Sequence, residues 1–91
     1  MFAYHFKSKN GGLSGNNIII VDNDNVKWFQ SYDKIVAKYS PLMKEFKVIS
    51  GDLTRTTTNY LCSFINICNH QLVCNIDDIS RLENVEFVER L

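Results

Sequence analysis

Ninety-one residues, 45% apolar and 12% aromatic, are enough for one hydrophobic core and exclude a disordered chain. Ten basic and ten acidic side chains leave no net charge, so the chain lacks the basic excess from which dedicated nucleic-acid binders draw affinity. No apolar run approaches the roughly 20 residues of a membrane span, and no signal-peptide pattern opens the chain, so a single cytoplasmic domain over residues 1–91 with no membrane role is expected.

Along the chain, Phe2, Tyr4 and Phe6 alternate with Ala3, His5 and Lys7, the period of two of a half-buried strand. Residues Asn10–Asn17 hold Gly11, Gly12 and Gly15 among three asparagines, which tolerate positive φ and predict a mobile loop that can close a hairpin. Ile18-Ile19-Ile20-Val21 follows, four consecutive β-branched residues that predict a central strand buried on both faces. Trp28, Phe29, Tyr32, Ile35, Val36 and Tyr39 fit a 3.6-residue period and predict a helix, capped by Asp24 or Asn25 and ended by Ser40-Pro41. Phe46–Ile49 predicts another strand, closed by Ser50-Gly51-Asp52. A second helix is expected within Leu53–Cys68, its apolar face formed by Tyr60, Leu61, Phe64, Ile65 and Cys68. Leu72–Cys74 predicts a strand, Asp77 or Asp78 the cap of a single turn, and Val85–Glu89 an edge strand with outward charges.

These pieces give the order β-β-α-β-α-β-(turn)-β, an α/β fold with a small mixed sheet of four or five strands. Its parallel core would be Ile18–Val21, Phe46–Ile49 and Leu72–Cys74. The alternative is a ferredoxin-like α+β sandwich.

In the parallel arrangement Asp22, Asp24, Asp52, Asp77 and Asp78 follow the C-terminal ends of core strands and converge on one sheet edge, where α/β proteins bind ligands. Clustered carboxylates suit Mg²⁺ or Mn²⁺, which can activate water for phosphodiester cleavage. Helix caps and turns are the simpler use of the same residues, Asp24 and Asp77 above all. The stretch Ile18-Ile19-Ile20-Val21-Asp22-Asn23-Asp24-Asn25-Val26 resembles the opening strand and acidic motif of NYN/PIN-type ribonuclease domains, and Val48-Ile49-Ser50-Gly51-Asp52 resembles a second segment of them. That resemblance implies a metal-binding role for Asp22, assisted by Asp24, Asn25 or Asp52, while a metal-dependent nuclease built on the converging acids would use Asp22, Asp52 and Asp77 or Asp78.

Cys62, Cys68 and Cys74 sit in apolar stretches without a C-x-x-C and are expected to be packed thiols in a reducing compartment. Cys68, His70 and Cys74 are a conceivable zinc set, but their spacing fits no zinc motif. Lys7 and Lys9 beside the aromatic strand fit RNA stacking, an alternative to burial of the same rings. The first half of the chain carries seven lysines against four acids and the second three arginines against six acids, which suits a partner of mixed charge. In composition, rich in Asn, Lys, Ile and aromatics, the chain is similar to accessory proteins of large lytic phages that disable host factors. The expectation is a non-catalytic inhibitor or adaptor that occupies a bacterial protein or nucleoprotein through the acidic edge, the Asn10–Asn17 loop or an edge strand. That strand could also pair with a second copy. The alternatives are a minimal metal-dependent ribonuclease and a small RNA-binding protein.

Overall fold

The computed structural model describes residues 1–7, 11–70, 72, 73 and 75–91, with Asp52 through its backbone only. Strands β1 (Phe2–Lys7), β2 (Leu13–Val21), β3 (Lys27–Ser31), β4 (Lys34–Ser40) and β5 (Glu45–Ile49) form an antiparallel meander. Helix α1 (Arg55–Asn69) and the short α2 (Ile76–Ser80) then return the chain to β6 (Val85–Val88), which pairs parallel to β5. A parallel pair requires such a crossover. The sheet is therefore mixed, with six strands in sequential order and β1 and β6 at its edges.

The α/β class and mixed sheet agree with the sequence, whereas the strand order does not. The segment expected to be a helix is the β3–β4 hairpin, turned at Tyr32 and Asp33 with Tyr32 at φ 57°. Its aromatic and β-branched residues satisfy both periods, and strand pairing decides between them. Phe29 and Ser31 face the core while Trp28 and Gln30 face away. An irregularity in the register opposite Phe29 and Gln30 lets both Val36 and Ala37 turn inward. That one extra residue makes the hairpin look helical in sequence. The ferredoxin-like order is likewise absent, because no helix separates the first five strands.

Two further expectations are corrected. Residues Leu13–Asn17 belong to β2 and pair toward β1, so the Gly/Asn-rich stretch is half strand; Asn10 lies outside the described residues. No strand forms at Leu72 and Val73, and Cys74 lies outside the described residues. The strand at 85–88 and the helix after Leu53 agree with expectation. The threonines that obscured the helix start explain themselves: Thr54 is the N-cap, its Oγ1 accepting from Thr57 N at 3.1 Å.

α1 covers one face of the sheet only. Leu61, Phe64 and Ile65 are fully buried against Ile19, Phe29, Phe46 and Val48, each such side chain contributing roughly 1.5–3 kcal/mol by leaving water. The other face is covered by no element among the described residues. Ile18 and Ile20 therefore stay half-buried, where the run of four β-branched residues predicts burial on both sides. Trp28 lies on this bare face with Lys38 Nζ 5.3 Å from its ring centre.

Candidate functional site

The meander disperses the acids. β2 runs opposite to β5, so Asp22, just past β2, and Asp52, just past β5, stand at opposite ends of the sheet. The expected convergence on one edge fails because it required those strands to be parallel. Among the described residues no group of three His, Cys, Asp or Glu side chains is placed to hold a metal ion.

Asp22 is occupied in building the β2–β3 connection. Its Oδ1 accepts from Asp24 N (2.9 Å) and Val26 N (3.0 Å), and its Oδ2 accepts from Trp28 Nε1 (3.0 Å). The Trp28 hydrogen bond is the main reason its carboxyl lies below the ordinary value. Partial desolvation opposes the shift, and the two backbone donors add to it. A folded pKa below the unfolded one means that the unfolded chain binds the extra proton on acidification. The contribution of Asp22 is therefore complete above the ordinary carboxylate pKa of about 3.9 and is lost as pH falls through the lower folded value. Asp22→Asn sets an amide N–H against Trp28 Nε1–H. It is expected to lower the melting temperature at neutral pH and to flatten the acid limb of a Tm-against-pH curve followed by Trp28 fluorescence.

The other acids are local as well. Asp24 is exposed in the turn after β2. Asp77 and Asp78 lie in the first turn of α2, favourable for acids, but the cap is Asn75, whose Oδ1 accepts from Asp78 N at 2.9 Å. Asp78 also approaches Arg81 at 4.0 Å.

Of the proposed zinc set, Cys68 is half-buried and burial pushes its thiol up to about 12, with Lys27 opposing. His70 caps α1 in the left-handed region, and Cys74 lies outside the described residues. Cys62 packs in the core. Lys7 ends β1, and Lys9 lies outside the described residues.

The structure draws attention instead to β1 and the groove beside it. Among the described residues β1 has a neighbour on one side only, which leaves the backbone N–H and C=O groups of its other side open to pairing. Register with β2 places Phe2, Tyr4 and Phe6 on the helix-covered face. Phe6 is buried and meets Phe29 and Tyr60 edge-on at 5.2 and 5.5 Å. α1 does not reach the start of the strand, which leaves Phe2 61% exposed and Tyr4 36%, their rings stacked at 6.1 Å. Between Tyr4–Lys7 and the α1 residues Ser63, Asn66 and Ile67 runs a groove of about 490 Å³. Ile67 is 44% exposed in its wall. On the opposite face His5 is fixed by its Nδ1, 2.7 Å from the Ser14 carbonyl, which makes Nδ1 the protonated nitrogen if it donates there.

The aromatic strand is visible in the sequence, but Ser63, Asn66 and Ile67 are not singled out there. The available signal was their spacing: Tyr60, Ser63 and Ile67 repeat at three and four residues and form one row beside the core stripe.

A model of a family of unknown function (DUF8033) matches residues 5–80, most of the chain. No curated protein and no solved structure matches. Among the described residues no helix is long and apolar enough to cross a membrane.

Proposed function

We propose that this chain, which belongs to the DUF8033 family, is a non-catalytic binding module that docks an extended segment of a partner protein along β1. The observation that carries this reading is the open edge of β1 with the Phe2–Tyr4 stack exposed above the groove. An added strand would satisfy the free main-chain groups, and its alternate side chains would reach the groove against Tyr4 and Ile67. Lys7 favours an acidic residue near one end of that segment. An adaptor or inhibitor needs no more chemistry than this.

Selection from a random-peptide display library followed by amide NMR tests the reading. Selected peptides should combine alternating apolar residues with an acid, and should shift the amides of Phe2–Lys7 together with those of Ser63, Asn66 and Ile67. Peptides whose shifts map to β6 or to the bare sheet face would overturn it. A dimer in sedimentation that dissociates on Tyr4→Ser would identify the added strand as that of a second copy.

A further inference from the structure

We propose that β1 takes up β6 of a second copy of this chain, so that the sheet continues head to tail from one molecule to the next. The inference rests on the reading of β1 as a docking edge and names its occupant. Among the described residues β6, like β1, has a neighbour on one side only. Strands β1 to β5 alternate in direction and β6 is parallel to β5, so β1 and β6 run the same way at opposite edges. A copy displaced sideways along the sheet, with its helices on the same side, therefore lays its β6 parallel to β1.

The two edges match in register. Tyr4 pairs with Ile19, Ile19 with Phe29, Phe29 with Ala37, Ala37 with Val48 and Val48 with Phe87, one row that crosses the whole helix-covered face. An exposed aromatic ends that row on each edge, Tyr4 at 36% and Phe87 at 37%. The neighbouring row runs from the exposed Phe2 to the half-buried Val85. With no slip along the strands, Phe87 of one copy meets Tyr4 of the next and Val85 meets Phe2, over the groove that α1 leaves beside β1. Aromatic and β-branched pairs directly opposite one another are the contacts that hold strands together, and the join removes apolar surface from water on both edges.

Charge favours this join over the pairing of like edges. β1 carries Lys7 and no acid, whereas residues 83–90 hold Glu83, Glu86 and Glu89 against Arg90. In the parallel arrangement Glu89, just past β6, arrives at the end of β1 where Lys7 stands. Charged edges commonly keep neighbouring molecules from pairing. Here the two edges differ in sign, so like is kept from like while unlike edges attract. A contact between two different patches is heterologous and propagates, as a ring where the rotation closes and as a filament where it does not.

The test is sedimentation of the intact chain from about 10 μM to 1 mM, the range suited to a contact this small. Mass should rise with concentration beyond that of a dimer, and fall with added salt. Tyr4→Ser leaves the β6 edge intact and Phe87→Ser leaves the β1 edge intact. Each alone should assemble roughly thirty-fold more weakly than the parent, whereas their equimolar mixture should form dimers at the parent's affinity and nothing larger. Charge reversal at two exposed positions checks the same join without touching a ring: Glu89→Lys and Lys7→Glu should each weaken assembly at low salt, and mixing the two variants should restore it. A parent chain that stays monomeric to 1 mM overturns the proposal. So does a Phe87→Ser variant that still dimerises alone, since the contact would then be β1 to β1. The docking reading falls separately: peptides that shift Phe2–Lys7 on a monomeric chain keep β1 as a docking edge with another occupant.

Discussion

Phe64→Ala is expected to leave the domain only about 0–2 kcal/mol more stable than its unfolded state in water without denaturant. The Phe64 side chain is fully buried and connects α1 to two strands, standing 5.8 Å from the ring of Phe29 on β3 and 5.8 Å, edge-on, from that of Phe46 on β5. Through Phe29 and Phe6 the same aromatic chain continues to β1. Truncation removes the transfer energy of a phenyl group and leaves a cavity between helix and sheet, together about 3–5 kcal/mol. A domain of this size holds a total near the low end of roughly 5–15 kcal/mol, so the loss consumes most of it. Urea denaturation followed by Trp28 fluorescence checks this. Phe64→Leu should cost far less, because Leu keeps much of the volume. Ser63→Ala, one position along on the exposed side, should lie within about 0.5 kcal/mol of the parent. An equal loss in all three would mean that α1 responds to any change rather than to this contact.

What the sequence makes legible follows from how many arrangements each pattern permits. Phe2–Lys7 alternates strictly, and Phe46–Ile49 and Val85–Val88 are short apolar or alternating runs closed by turn residues, so the strands they form were readable. The helix around Leu61, Phe64 and Ile65 was readable because no strand period fits that stripe over fifteen residues. Residues Lys27–Ser40 permit two readings. A hairpin whose turn is Tyr32-Asp33, without the glycine or asparagine that usually marks it, and whose second strand carries one extra inward residue, imitates the period of a helix. That one misassignment propagates. With a helix there, β2 and β5 run parallel and their acids share an edge; with two strands there, they run opposite and the acids separate. The interpretation of Asp22 therefore depended on topology more than on Asp22 itself. Its three hydrogen bonds join residues two, four and six positions along, which no periodicity encodes.

The double substitution Phe2→Ser/Tyr4→Ser is expected to separate binding from stability. Both rings are exposed, and neither belongs to the buried core cluster that Phe6 joins. Unfolding by urea should therefore change by no more than about 0.5 kcal/mol. Affinity for a peptide that docks along β1 should fall much further. Exposed aromatics at the centre of a docking site typically each carry about 2 kcal/mol or more, roughly thirty-fold in affinity. The two rings stack on one another, so removing the first also withdraws support from the second. The double variant should accordingly lose less than the product of the single losses, and the shortfall measures the coupling of the stack. A proline at Ala3 or His5 supplies the complementary measurement. It removes one main-chain N–H from the edge or from the β2 ladder, according to which way that group points, and leaves both rings in place. Loss of binding with the rings gone but not with the outward N–H gone would make the groove the whole site. Loss with either would show that the partner joins the sheet as a seventh strand, with the rings selecting which strand it accepts.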